Sequence, residues 1–161
     1  MMSIDQSLSS SGVMIWDKDE VVQYKLIKTE PKGEVILRIR EIIAHLSELI
    51  DTHKITKVII EGLPFGLNSS SVRPLAALYY FIQNLCKDKG IEFYESNVTA
   101  VKKLATGSGK AAKSDMIEAF SVQAHALYIK IVRDGIKKST GLADLADAYF
   151  IGKLQLHKES I

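Results

Sequence analysis

The run KVIIEG, residues 57–62, constrains the fold of this chain more than any other stretch. It is β-branched, apolar on consecutive residues and too short for a core helix, so as a strand it hides both faces. Such a strand needs a layer on each side of its sheet, and the flanking sequence supplies them. From Glu34 to His53 the residues Val35, Ile36, Ile39, Ile42, Ile43, Leu46, Leu49 and Ile50 recur every three or four positions, which predicts an amphipathic helix. Val72 to Lys89 forms a second helix, stopped by Gly90, and IEFYES is a further strand. Ahead of the first helix, SIDQSL, VMIWD and VVQYKLIK are short alternating runs joined by SSSG and KDE, an antiparallel meander ended by Pro31 and Gly33.

The order β-β-β-α-β-α-β predicts an α/β domain with one mixed five-stranded sheet. Three strands are antiparallel, two more are parallel, and helices cover both faces. A right-handed crossover sets the fourth strand beside the first, the order of the ribonuclease H-like fold. One domain over residues 1–161 accommodates this. After Asn97 the chain turns helical, with a break at TGSGKAA. KSDMIEAFSVQAHALYI then reads as one helix, KIVRDGIKKSTG as a basic irregular stretch, and LADLADAYFIGK as a last helix.

The apolar fraction of 47% and charged fraction of 25% are those of an ordinary globular protein, and a net charge of +2 does not by itself announce nucleic acid. The distribution of charge says more. Lys102, Lys103, Lys110 and Lys113 fall within thirteen residues that hold no acid. Cys86 is the single cysteine, which excludes an internal disulfide, fits a reducing compartment and reads as a buried inert thiol. His45, His53, His125 and His157 show no zinc-ligand spacing. No apolar run approaches the ~20 residues that span a bilayer, and MMSIDQS lacks the features of a signal peptide. The expectation is a cytoplasmic protein without membrane contact.

Four acids stand where acids are costly. Asp5 lies inside the first strand between Ile4 and Leu8, and Glu61 ends the buried strand. Asp144 and Asp147, three apart, share a face of the last helix with Phe150 and Ile151. Each has an ordinary reading: a helix-dipole acid behind the possible caps Ser139 and Thr140, a lysine partner, a surface strand end. Asp5 resists this treatment, because a mid-strand acid beside apolar neighbours is rare without a partner. If the first and fourth strands are neighbours and the last helix packs on them, the four side chains converge. Like charges at close range repel unless a cation sits among them, and an all-oxygen set suits magnesium, or manganese in its place. Two such ions, about 3.5–4 Å apart, form the clamp that serves in-line phosphodiester displacement.

At these residues the chain resembles the RuvC-type Holliday-junction resolvases. Asp5, the SLSSSG turn, Glu61, VTAVKKLATGSGKAAKSDM and DLADA occur in that family's order, over residues from Ser3 to about Lys153. The resemblance implies a two-metal catalytic tetrad of Asp5, Glu61, Asp144 and Asp147, with Lys102 and Lys113 at the DNA near the cleaved phosphate. Lys103 and Lys110 extend the basic segment, and Gly107 and Gly109 either let backbone approach phosphate or form a flexible loop. Phe65 is either a wedge at the branch point or a core residue beside Pro64. The resemblance further implies a homodimer acting on four-way and other branched DNA in the bacterial cytoplasm, or in a host's if the chain is phage-encoded. Ser3 and Gln6 stand where the family has glycine and proline, a departure that touches substrate choice rather than the ligand set. The rival readings are an RNA-processing or RNA–DNA hybrid ribonuclease on this fold, a non-catalytic junction-binding protein, and a nucleotide-binding ATPase module.

Overall fold

Alternation along three adjacent strands decides which residues face which layer. The computed structural model describes residues 1–63, 70 and 72–161. Its sheet contains β1 (Met2–Asp5), β2 (Ser10–Asp17), β3 (Glu20–Lys28), β4 (Lys57–Glu61) and β5 (Glu92–Ser96), in the order β3-β2-β1-β4-β5. β1–β2 and β2–β3 pair antiparallel, while β1–β4 and β4–β5 pair parallel. The expected sheet and strand order are therefore present, with β4 beside β1.

Met2, Ile4, Val13, Ile15, Val58 and Ile60 point to one face of the sheet, where α1 (Val35–Thr52) and α2 (Val72–Asp88) cover them. Met14, Trp16 and Ile59 point to the other, under α3 (Val98–Thr106), α4 (Lys113–Gln123), α5 (His125–Arg133) and α6 (Leu142–Glu159). Val58, Ile59 and Ile60 are all fully buried, as a strand between two helical layers must be. Cys86 lies buried in the first layer, and burial pushes its thiol up to about 11. No helix among the described residues is long and apolar enough to cross a membrane.

α6 is seated on the sheet by three contacts four residues apart, about one turn each. At Asp144 the helix backbone lies against Gly12 so closely that a Cβ there would stand 2.2 Å from the Asp144 carbonyl oxygen. At Ala148 the carbonyl accepts a hydrogen bond from Ser3 Oγ at 2.7 Å. At Gly152 the helix meets the Trp16 indole, whose Nε1 donates to Ser3 Oγ at 2.8 Å. A small residue at each contact (Gly12, Ser3 with Ala148, Gly152) lets α6 lie close on the sheet.

Ser3 is fully buried and completes the indole's hydrogen bonding. Ser3→Ala leaves the indole N–H without its acceptor and is expected to cost about 1–3 kcal/mol. The shift of the denaturant midpoint measures it.

Three expectations need correction. The break between the first two strands falls at residues 6–9 rather than at SSSG, because Ser10, Ser11 and Gly12 belong to β2. Their turn-like composition has another cause: Gly12 must lie flat under α6. The stretch KSDMIEAFSVQAHALYI is two helices, since Ala124 leaves the helical conformation (φ −128°, ψ 47°) and Gln123 Nε2 ties the end of α4 to Ala105 O at 2.8 Å. α5 then runs through Arg133, into what composition presents as irregular. Finally, α6 is not capped by Ser139 or Thr140. Those residues form a 3₁₀ turn, Lys138–Thr140, and Gly141 precedes the helix with φ 119°.

Candidate active site

Asp5 is the last residue of β1 and Glu61 the last of β4. Ile4 and Ile60 are partners in the parallel ladder, so the following residues stand side by side where both strands end. Strand alternation turns both toward the α6 layer, on the same side as Ser3 and Ile59. Gly12 pairs with Asp5 across the antiparallel ladder, and Asp144 lies directly over Gly12. Asp147 precedes Ala148, whose carbonyl is fastened to Ser3, two residues before Asp5. One sheet edge and one helix turn thus bring all four acids together.

All four are half-buried, whereas Leu145, Ala146 and Ala148 between and beside them on α6 are buried. The acids therefore sit at the edge of the core. Their electrostatics agree with the geometry. Burial, then Asp147, Glu61 and Asp144, raise the Asp5 carboxyl well above the usual range, against a smaller opposing pull from Lys113. Burial and the charges of Glu61 and Asp144 push Asp147 up to about 7, again opposed by Lys113 and Lys102. Burial raises Glu61 while Lys102 lowers it. Among the described residues no three acids, histidines or cysteines are drawn into a ready-made ion cage. Asp5 and Asp147 each feel the charge of the other acids of the cluster. The donor set still fits a hard divalent cation, because it is all carboxylate oxygen and cannot fully ionise at neutral pH without positive charge among its members.

Ser10 fixes one member of the set. Its Oγ donates to Asp144 Oδ2 at 2.7 Å. Nothing in the sequence singles out Ser10, one serine in a run of three, and Gly12 is equally inconspicuous. The available signal was a glycine within a strand, which marks a close backbone approach. Gln6 Nε2 reaches the Glu61 carbonyl at 3.4 Å, and its buried Oε1 has no partner among the described residues.

The expected basic residues divide. Lys102 on α3 and Lys113 at the start of α4 act on the acid cluster, although they are eleven residues apart in sequence. Lys103 and Lys110 are exposed and are not among the charges acting on it. Gly107 closes α3 in the left-handed conformation (φ 81°), and Gly109 packs against Thr99. Phe65 lies outside the described residues.

A sign follows for pH. The folded protein holds the Asp147 proton more tightly than the unfolded chain, whose carboxyl titrates near 3.8. This contribution to stability is full below about pH 4 and is lost as pH rises through about 7. Metal-free protein is expected to melt lower at pH 8 than at pH 5, and magnesium to raise the melting temperature at pH 8 far more than at pH 5. Scanning fluorimetry at both pH values, with and without the ion, checks this.

The family model described as crossover junction endodeoxyribonuclease RuvC matches residues 1–148. The chain belongs to the RuvC family. The RuvC of Sulfurovum sp. (strain NBC37-1) is 30% identical over 162 residues, covering 98% of this chain and 95% of that protein. The RuvC of Pseudothermotoga lettingae is 30% identical over 95 residues, 59% of each chain. Among solved structures, T. thermophilus RuvC in complex with Holliday junction substrate superposes with a TM-score of 0.74 at 18% identity, covering 99% of this chain and 94% of that one. Fowlpox virus resolvase, solved with substrate Holliday junction DNA, gives 0.64 at 16% identity and 98% of both chains. These superpositions show the ribonuclease H-like fold shared with the RuvC structures. As a RuvC-family protein the chain is a crossover junction endodeoxyribonuclease, and neither the RNA or RNA–DNA hybrid ribonuclease nor the non-catalytic binder is favoured.

Proposed function

We propose that this RuvC-family endonuclease resolves four-way junctions and related branched DNA by metal-assisted phosphodiester hydrolysis at Asp5, Glu61, Asp144 and Asp147. The observation that carries the reading is the meeting of four half-buried carboxylates at the ends of β1 and β4, with two lysines acting on them. Asp5, Glu61, Asp144 and Asp147 would hold two magnesium ions, with manganese as a substitute, and the bound ions would supply activation of water and neutralisation of charge at the leaving 3′ oxygen. The rest of the work belongs to the chain. Ser10 holds Asp144 in place, and the Ser3–Ala148 hydrogen bond holds Asp147 against the end of β1. Lys102 and Lys113 act on the same cluster, where positive charge attracts the phosphate that the acids by themselves repel. The products are a 5′-phosphate and a 3′-hydroxyl.

A four-way junction offers two equivalent strands, so we place two copies of the chain on it. The outward side of α2 supports this: Tyr80 is 61% and Phe81 42% exposed, beside a cleft of about 620 Å³ lined by Tyr80, Lys87 and Phe93. None of the four acids lines that cleft. Light scattering at micromolar concentration is expected to give twice the chain mass.

The deciding assay uses a labelled four-way junction, a Y-fork, a linear duplex and an RNA–DNA hybrid at equal concentration, each with magnesium and with EDTA. Paired, metal-dependent cuts near the branch point are the expected result. Cleavage of the hybrid alone, or junction binding without cutting, overturns it.

A further inference from the structure

A cleft of about 330 Å³ opens beside Asp144, and three separate elements contribute lysines to its wall. Lys28 ends β3, Lys138 opens the 3₁₀ turn, and Lys113 starts α4. Ser139 and Thr140 add polar groups, and among the described residues Asp144 is the one acid lining it. The convergence is built by backbone packing. Ser10, which bonds Asp144, pairs directly with Lys28 across the ladder. Gly141 lies against Leu26, two residues before Lys28, so the 3₁₀ turn is pressed onto the end of β3. Arg38 donates to Ser9 Oγ at 3.3 Å and brings a further positive charge to the rim.

Among the described residues no acid forms an ion pair with Lys28, Lys113 or Lys138. Three lysines without an acidic ion-pair partner make this wall positive, a surface that suits an anion. Lys113 belongs both to this cleft and to the surroundings of the acid cluster, and Asp144 lines both, so a chain of phosphates can run from one into the other.

We propose that this cleft binds the DNA backbone next to the cleaved phosphate, with Lys28 and Lys138 as its specific contacts. The inference rests on the nuclease reading for the identity of the polymer. It assigns Lys28 and Lys138 a part in holding the strand, while Asp5, Glu61, Asp144 and Asp147 keep the chemistry. Groups that grip phosphate position the strand without reading its bases, so the cleft acts on junction and duplex alike.

The test compares wild type, the double variant Lys28→Ala/Lys138→Ala, and Lys18→Ala at the opposite end of β2 and β3. Affinity for a four-way junction and for a duplex of equal length is measured in EDTA between about 50 and 200 mM salt. Each phosphate that a variant no longer neutralises lowers the slope of log affinity against log salt by about 0.9. The double variant is expected to shed about 1–2 from the slope on both DNAs, and Lys18→Ala to match wild type. An unchanged slope in the double variant, or an equal reduction in Lys18→Ala, overturns the cleft. Wild type that shows no preference for the junction overturns the substrate reading instead, and the slopes still decide the cleft.

Discussion

Asp147→Asn is expected to abolish magnesium-dependent cleavage, by at least about 10²–10³-fold, while junction affinity in EDTA stays equal or rises. The exchange preserves shape and removes one negative charge from a set that has too many. Asp147 is pushed up to about 7 by burial and by Glu61 and Asp144, so at pH 8 its ionised form carries a cost in the metal-free protein that a neutral amide removes. The variant should therefore fold well and melt higher than wild type at pH 8 without metal, and magnesium should no longer raise its melting temperature to the same extent. Asp5→Asn should behave alike, because burial and the same acidic neighbourhood raise its carboxyl well above the usual range. Two readouts separate a role in the site from a role in folding. Loss of cleavage with an unchanged or higher metal-free melting temperature assigns the residue to the chemistry. Wild-type cleavage by either variant removes that residue from the site.

The second large effect is expected from a residue with no functional group. Gly12→Ala puts a Cβ at 2.2 Å from the Asp144 carbonyl oxygen and 2.5 Å from its carbonyl carbon, both backbone atoms that no rotamer change can move. Either α6 lifts from the sheet or β2 bends, and each answer separates Asp144 from Asp5. Overpacking of this kind costs about 1–3 kcal/mol, which for a domain of this size lowers the melting temperature by about 2–4 °C per kcal/mol. Misplacement by about 1 Å at a reacting centre costs about 10²-fold in rate. Calorimetry and the junction assay should therefore both change. A variant that melts like wild type and cleaves at the wild-type rate would show that this close approach does not position Asp144.

Much of the candidate site was legible in the chain because costly placements stand out. Asp5 among apolar strand residues and Glu61 at the end of a doubly buried strand each break a local rule. The pair Asp144 and Asp147 does so on a helix that is otherwise largely buried from Leu142 to Gln155. Lys102 and Lys113 stood out for a different reason, a basic segment without acids, and the structure brings these two to the acids while Lys103 and Lys110 face solvent. Composition could not make that division. It depends on where α3 ends at Gly107 and how the following loop returns to start α4.

Local pattern by itself determined the five strands, their pairing sense, the two helices of one layer and the four acids, because period and cost are properties of neighbours in sequence. Tertiary structure alone decided three other things. It kept Ser10 and Gly12 inside β2, since a strand under a close-packed helix needs small residues that resemble a turn. It broke the chain at Ala124, where no glycine or proline calls for it. It also gathered Lys28, Lys113 and Lys138 at one cleft, from three separate elements of the chain. Each depends on surfaces meeting at a distance along the chain. Such meetings leave little trace in local periodicity, because the residues that make them are chosen for small size or for charge rather than for apolar pattern.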